Sequence, residues 1–126
     1  MQPAILHIDN DPFFLQIYAR SFQRENFRSK SARSAEEAWR SVEDEMPDVI
    51  VLDVITPDRT GSSDGFEMLE ALKTKAQTKH IPVVMMSDLS SKEDVDQCLR
   101  LGAEAYLLKA HHDTQDLVAC IKRCLK

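Results

Sequence analysis

The chain has no apolar stretch near the ~20 residues of a membrane-spanning helix, and its N-terminus lacks a signal-peptide pattern. It also lacks an excess of positive charge. Its 16 lysines and arginines stand against 21 aspartates and glutamates, and the formal net charge of -5 argues against direct nucleic-acid binding. Repeats, low-complexity tracts and linkers are absent from the 126 residues, which predicts a single domain over 1–126.

Cysteine is scarce and odd in number. Cys98, Cys120 and Cys124 lie in predicted helices, which is typical of a reduced, cytoplasmic protein and not of a disulfide framework. Cys120 and Cys124 are spaced for one helix face and supply half of a zinc site, which His111 and His112 could complete. We favour the alternative, in which the cysteines lie at the edge of the core.

Four short apolar runs each end on a polar residue. They are 5–8 followed by Asp9-Asn10-Asp11, 49–52 followed by Asp53, 83–86 followed by Ser87, and 105–108 followed by Lys109. Such runs are typical of strands buried on both faces. In a parallel sheet their C-terminal ends share one edge, where ligands bind. We therefore expect carboxylates, a hydroxyl and an ammonium to converge on a site for a divalent cation and a phosphoryl group.

Strand and helix patterns alternate five times, which implies parallel strands with helices on both faces. Asp11-Pro12 predicts the start of the first helix, and Phe14, Ile17, Tyr18 and Phe22 form its apolar stripe. Capping boxes at 34–37 and 90–93 predict the starts of the second and fourth helices, Asp113 caps the fifth, and Gly102 ends the fourth. His7, inside the first strand, is expected to be a packed, hydrogen-bonded core histidine.

The residues at the strand ends suit phosphoryl chemistry. A carboxylate can attack phosphorus and hold the phosphoryl group as a mixed anhydride. A hard cation such as magnesium on oxygen ligands then offsets the negative charge. A lysine supplies a point charge to one phosphoryl oxygen, and a hydroxyl donates a hydrogen bond to another. Asp53, Asp9, Lys109 and Ser87 would fill these roles.

Five segments, in order and at suitable spacing, resemble the receiver domain of two-component response regulators. They are 5–12 for the first strand and acidic cluster, 48–53 with Pro57 for the phosphoacceptor segment, 64–66 for the start of the third helix, 81–87 for the strand ending in the switch hydroxyl, and 102–109 for the strand ending in the lysine. The likeness covers essentially the whole chain. It implies a flavodoxin-like (βα)5 doubly wound parallel sheet with strand order 2-1-3-4-5.

The resemblance also implies roles. Asp53 would take a phosphoryl group from a histidine kinase or phosphotransfer protein, with Lys109 and Ser87 assisting. Ser87 and Tyr106, the family's switch positions, would then shift inward and reshape the helix 4–strand 5–helix 5 face. That face would meet an unidentified output partner, and it is also a candidate homodimer contact. On this reading the chain is a cytoplasmic signalling switch and not an enzyme.

The family's magnesium site is carried over with a change. Its ligands here would be Asp9, Asn10, Asp53 and the backbone carbonyl of Ile55. Asn10 stands where the family usually offers a carboxylate, so we expect weak magnesium binding. Asp11 could compensate, although capping the first helix is its simpler role.

Three further departures lie near the site. Seven residues separate Pro57 from Gly65, where the family has three; this insertion includes Arg59, and we expect residues 58–64 to be mobile without ligand. Asp88 follows Ser87, where small residues are usual, and could slow phosphorylation. Ala110 follows Lys109 in place of the family's proline, so we expect a trans peptide bond there.

Two alternatives remain open. The first is a degenerate receiver that acts as a phosphorylation-independent binding module, which Asn10, Asp88 and Ala110 favour. The second is a phosphatase of the haloacid-dehalogenase type. There Asp9 would be the nucleophile and Asp11 the acid/base, with Ser87 and Lys109 in later motifs.

Overall fold

A computed structural model describes residues 2–54 and 65–126 of the chain. Its sheet has five parallel strands in the order β2-β1-β3-β4-β5, as predicted. The elements, in chain order, are β1 Ala4–Ile8, α1 Pro12–Arg24, β2 Arg28–Ala32, α2 Ala35–Asp44, β3 Val49–Leu52, α3 Gly65–Thr74, β4 Val83–Ser87, α4 Lys92–Arg100, β5 Ala105–Leu108 and α5 Thr114–Cys124. The fold is flavodoxin-like. None of the described helices is long and apolar enough to cross a membrane.

The segment 55–64 carries several of the sequence predictions. This segment lies outside the described residues. It includes the Ile55 carbonyl, Pro57 with its spacing to Gly65, Arg59, and residues 58–64, which are expected to be mobile.

Alternation along the central strands builds two cores. Successive side chains of a strand point to opposite faces of the sheet. Leu6, Ile8, Ile50 and Leu52 pack with residues of α2 and α3 on one face. Ile5, Val49 and Val51 pack with residues of α1 and α5 on the other. The β1, β3 and β4 strands are buried throughout, which explains their continuous apolar runs.

The start of α1 is the one predicted. The Asp11 carboxylate accepts hydrogen bonds from the backbone N–H groups of Phe13 and Phe14, at 3.0 and 3.4 Å, and Pro12 is the first helical residue. Asp11 is therefore the N-cap, in line with its simpler predicted role.

The other helix caps agree with the sequence except in detail. Ser34 and Asp113 cap α2 and α5, but the α2 box is incomplete because Glu37 accepts from the N–H of Arg33 and not of Ser34. The predicted cap box of α4 at 90–93 was wrong by one residue, since Ser91 accepts from the Asp94 N–H at 3.1 Å. Both Ser90 and Ser91 have an acidic residue three positions later, so the sequence pattern fits either register.

The apolar stripe of α1 was wrong at Ile17, whose side chain is 42% exposed. The buried side of α1 includes Leu15, Tyr18 and Phe22, which are spaced i, i+3 and i+7. Ile17 is rotated by about 100° from Tyr18 around the helix and so faces away from the sheet. Phe14 is half-buried at the edge of this core.

The three cysteines are free thiols at the core or its edge. Burial raises the pKa of the Cys98 and Cys124 thiols to about 11. Within the described ranges no three His, Cys, Asp or Glu side chains come together as a metal-binding group. The geometry therefore gives no support to a zinc site at Cys120 and Cys124.

Two backbone expectations are confirmed near the end of the chain. Gly102, just after α4, has a φ of 112°, a conformation that favours glycine. Residues 2–54 and 65–126 contain no cis peptide bond, so the Lys109–Ala110 bond is trans, as expected.

His7 is a packed core histidine, but the expected hydrogen bond is missing at Nδ1, which has no partner among the described residues. Its ring is 2% exposed and makes edge contacts with Phe14, Tyr18 and Phe22 at centroid distances of 6.0, 5.7 and 5.9 Å. Burial, and secondarily the charge of Lys109, lowers the pKa of His7 to about 3. The ring is therefore neutral inside the folded protein.

His7 makes the fold acid-sensitive. Its pKa is lower in the folded state than the ordinary value of 6.5, so the unfolded state binds the proton first and stability falls as pH drops from about 6.5 towards 3. Between pH 7.5 and 5 this group alone should remove about 2 kcal/mol from the free energy of unfolding. Urea titrations in EDTA at several pH values should show this slope in the parent and a shallower one in His7→Leu. The exposed Gln77 supplies the control, since Gln77→Leu changes no titratable group and should keep the parental slope. Equal slopes for His7→Leu and the parent would contradict the prediction.

Candidate functional site

Three charged residues lie directly after the ends of three strands. Asp9 follows β1, Asp53 follows β3 and Lys109 follows β5. Their backbone N–H groups still bond to neighbouring strands, donating to the carbonyls of Ala32, Ile8 and Ser87 at 3.0, 3.0 and 2.9 Å. These bonds fix the three Cα positions on the rigid sheet, so the side chains start from defined points on one edge.

The three side chains form a buried ion cluster. Lys109 Nζ lies 2.6 Å from Asp9 Oδ2 and 2.8 Å from Asp53 Oδ2. Asp9 Oδ1 accepts a hydrogen bond from the backbone N–H of Asp11 at 2.9 Å. Asp9 and Asp53 are 1% and 5% exposed, and the Lys109 side chain is 12% exposed. One ammonium thus bridges two carboxylates that are both withdrawn from water.

The electrostatics of this cluster are set by burial and pairing. Burial raises the pKa of Asp9; hydrogen bonds from Lys109 and the Asp11 backbone oppose this, and the nearby charge of Asp53 adds to it. For Lys109, burial acts to lower the pKa, but the hydrogen bonds to Asp53 and Asp9 outweigh it and the pKa is raised. Lys109 is therefore a permanent cation at neutral pH.

The two predicted switch residues lie on the other face of the sheet. Ser87 ends β4 one residue after Met86, which packs on the α1/α5 side, so alternation turns Ser87 towards the α2–α4 side. Tyr106 packs against the core on that same side. The fully buried Ser87 Oγ accepts from the Leu89 N–H at 3.2 Å, and the Tyr106 hydroxyl donates to the Leu89 carbonyl at 2.7 Å. The sequence prediction had paired Ser87 and Tyr106 without identifying Leu89 as the residue that both contact.

The remaining predicted residues, Asn10, Asp11 and Asp88, are neighbours in sequence of Asp9 and Ser87. Asn10 and Asp88 are exposed, and Asp11 is exposed and engaged as the α1 cap. The oxygen atoms of Asp9, Asn10 and Asp53 are of the type that a hard cation accepts. Only two of these side chains are carboxylates, however, and the described residues gather no third His, Cys, Asp or Glu beside them. The donor set fits magnesium in kind and is one charge short.

Gly65 brings α3 against the end of β3. Its N–H donates to the Val54 carbonyl at 2.6 Å, and a Cβ at this position would overlap the carbonyl oxygens of Asp53 and Val54. Only glycine allows this approach of two backbones. The predicted role of 64–66 as a helix start is confirmed for Gly65 and Phe66, while Asp64 lies outside the described part of the chain.

One contact of the site was missed by sequence reasoning. Lys109 Nζ lies over the ring of Phe14, 4.3 Å from its centroid. The sequence predicts for Phe14 only a place in the apolar stripe of α1. Nothing in the local pattern distinguishes a ring that packs on the core from one that also covers a cation 95 positions later in the chain.

Comparison with known proteins agrees with this architecture. Residues 5–122 match the family model of the response regulator receiver domain. The chain belongs to this family. It is 33% identical over 124 residues to the transcriptional regulatory protein PrrA of Mycobacterium tuberculosis, with 98% of this chain and 50% of that protein covered. It is 30% identical to the heme response regulator HssR of Staphylococcus saprophyticus, again with 50% of that protein covered.

A solved structure shares the fold over its whole length. The CheY-like response regulator receiver domain protein of Methanospirillum hungatei superposes with a TM-score of 0.88 at 26% identity, covering 99% of this chain and 94% of that one. The chain spans about half the length of PrrA and HssR. It is a receiver domain of two-component signalling, a class of signalling switches and not of conventional enzymes. The haloacid-dehalogenase alternative is thereby set aside.

Proposed function

We propose that this receiver domain accepts a phosphoryl group on Asp53 and relays that event through Ser87 and Tyr106. The observation that carries the proposal is the Lys109 ammonium, which bridges the buried carboxylates of Asp9 and Asp53 at 2.6 and 2.8 Å. A buried carboxylate at a strand end, paired with a fixed cation, is suited to hold a phosphoryl group whose charge needs a partner.

The transfer step balances in atoms and charge. A carboxylate oxygen of Asp53 forms a bond to phosphorus, and the bond from phosphorus to the donor breaks. With an acyl phosphate donor the leaving carboxylate takes the electron pair, and with a phosphohistidine donor the imidazole nitrogen takes it. Lys109 stays protonated and donates one hydrogen bond to a phosphoryl oxygen, which partly replaces its bond to Asp53.

The metal site would use Asp9, the Asn10 amide oxygen and Asp53, with the Ile55 carbonyl as the ligand implied by family resemblance. When bound, magnesium would neutralise charge on the carboxylate and phosphoryl oxygens. Asp9 has one oxygen fixed by the Asp11 N–H and the other by Lys109, so it is held in place before any cation arrives.

Leu89 supplies the physical link of the proposed switch. Its N–H donates a hydrogen bond to Ser87 Oγ, and its carbonyl accepts one from the Tyr106 hydroxyl. If the Ser87 side chain rotates to donate to a phosphoryl oxygen, its hydrogen bond with the Leu89 N–H changes. The Leu89 carbonyl, which accepts from the Tyr106 hydroxyl, belongs to the same residue and would be affected as well. The proposed outcome is a changed α4–β5–α5 face, which would meet an output partner or a second copy of the chain.

The partners are proposed from the family. A histidine kinase or phosphotransfer protein would donate the phosphoryl group, as expected for a two-component receiver in the cytoplasm. PrrA and HssR are about twice as long as this chain, so what they do as whole proteins is not transferred to it.

Asp53→Asn should abolish labelling by a small acyl phosphate in magnesium, measured as one added phosphoryl group by intact mass. Asp9→Asn should slow labelling, since it removes a charged ligand and one partner of Lys109. The exposed Glu43 provides the control, because Glu43→Gln should label at the parental rate.

The same experiment separates the alternatives. Full labelling of Asp53→Asn would overturn the assignment and point to Asp9 as the phosphoacceptor. A parent protein that takes no label at saturating magnesium and donor would favour the phosphorylation-independent binding module.

Asn10→Asp should tighten magnesium binding, because it adds a unit charge beside the cation. At ~4 Å and an effective dielectric near 20 the added attraction is about 4 kcal/mol per unit of cation charge, and less where water intrudes. Titration of the metal-free protein with magnesium, followed by NMR or calorimetry, measures it. Asp11→Asn keeps the cap and should leave the affinity nearly unchanged. Equal affinities for Asn10→Asp and the parent, with a loss in Asp11→Asn, would mean that Asp11 already supplies the missing ligand.

Asp88→Ala should speed labelling of Asp53. Asp88 is exposed and directly follows Ser87, so its charge would repel a negatively charged donor at the pocket. Like charges several Å apart near a surface cost on the order of 1 kcal/mol, which is several-fold in rate and declines with salt. Glu93→Ala, at an exposed acid in the first turn of α4, is the control. Identical rates for Asp88→Ala and the parent at low and high salt would show that Asp88 is an ordinary loop residue.

A further inference from the structure

Phe14 places an aromatic face against the Lys109 cation. Lys109 Nζ lies 4.3 Å from the centroid of the Phe14 ring, and it also lies 2.6 Å from Asp9 Oδ2 and 2.8 Å from Asp53 Oδ2. An ammonium is attracted to the negative face of an aromatic ring, and the attraction grows when the cation is shielded from water. The Lys109 side chain is only 12% exposed, so we expect the attraction between its ammonium and the ring to be stronger than at an exposed site.

The ring is itself held in place. Phe14 packs on Tyr18 of the next turn at a centroid distance of 4.5 Å and meets the edge of His7 at 6.0 Å. Both partners lie in the core between the sheet and α1, and His7 is neutral there. The ring therefore cannot easily leave Lys109 without disturbing a packed aromatic cluster.

The lysine needs such support. Its four-carbon stem is flexible, and its ammonium donates a hydrogen bond to Asp53 Oδ2 while pairing with Asp9 Oδ2 at 2.6 Å. Without the Phe14 ring beside it, the ammonium would be more open to competing water and the stem could turn towards solvent. The Phe14 ring provides an apolar surface next to the ammonium that still attracts the charge.

Building on the proposed function, we propose that Phe14 is a positioning residue for phosphoryl transfer. It holds the Lys109 ammonium at the Asp9–Asp53 edge, where one donor can pass from the Asp53 carboxylate to a phosphoryl oxygen. The effect acts through Lys109, since Phe14 itself need not touch the phosphoryl group. A misplaced ammonium lowers the fraction of molecules ready to react.

The kinetic test compares Phe14→Leu and Phe14→Tyr. Leucine keeps an apolar side chain but has no aromatic face, so labelling of Asp53 by an acyl phosphate at saturating magnesium should slow about 3- to 10-fold. Tyrosine keeps the face and should restore the rate to within about twofold. Phe13→Leu is the matched control, because the adjacent Phe13 is 69% exposed and should not affect the rate. A parental rate in Phe14→Leu, or no rescue by tyrosine, overturns the proposal.

A second measurement does not depend on phosphorylation. Urea unfolding in EDTA is measured for the parent, Phe14→Leu, Lys109→Gln and the double variant. If the ring stabilises the cation, Phe14→Leu should raise the unfolding equilibrium constant about 5- to 30-fold more in the parent than in the Lys109→Gln background. Equal factors in the two backgrounds would show plain packing and overturn the proposal.

The two measurements distinguish the failures. A parent that is not labelled overturns the proposed function, and with it the catalytic meaning of Phe14, whatever the unfolding cycle shows. A labelled parent with equal unfolding factors, or with an unaffected Phe14→Leu rate, overturns the positioning role alone.

Discussion

The site depends on the cost of burying two carboxylates at one edge of the sheet. Asp9 and Asp53 follow the adjacent strands β1 and β3, so their charges repel each other. Because both side chains are nearly inaccessible to water, the carboxylates have also lost most of their hydration. Such a pair is tolerated only with a well-placed cation. Lys109 comes from β5, three strand positions away from β1, where neighbouring strands lie about 4.8 Å apart. A long side chain that crosses the ends of the intervening strands is what allows one ammonium to reach both carboxylates.

Strand periodicity then divides the site between the two faces of the sheet. Asp9, Asp53 and Lys109 continue their strands on the α1/α5 side, where Phe14 covers the ammonium. Ser87 and Tyr106 lie on the α2–α4 side and are joined through Leu89. A group bound at the edge of the sheet can therefore contact both halves, although the ion cluster and the hydroxyl pair belong to different cores. This separation follows from a period of two and needs no special backbone geometry.

The features that could be predicted from the sequence are those with a local cause. Buried strands give continuous apolar runs, caps need particular side chains, and the polar residue after each run marks the edge of the sheet. Where two registers are chemically equal, as at Ser90 and Ser91, the sequence pattern cannot choose between them. The exposure of Ile17, the contact between Phe14 and Lys109, and the lack of a partner for His7 Nδ1 within 2–54 and 65–126 depend on how α1 is rotated against the sheet. That rotation is decided by tertiary packing and leaves no mark within one element.

Asn10 changes the charge balance of the cluster in two opposite ways. Asp9, Asp53 and Lys109 together carry one net negative charge, and an aspartate at position 10 would make it two. The smaller charge lowers the repulsion that the protein must tolerate without metal, so Lys109 alone can pair with both carboxylates. The same missing charge removes attraction for a divalent cation. If magnesium binds here as proposed, it would compete for Asp9 and Asp53 with an ammonium that also lies over the Phe14 ring.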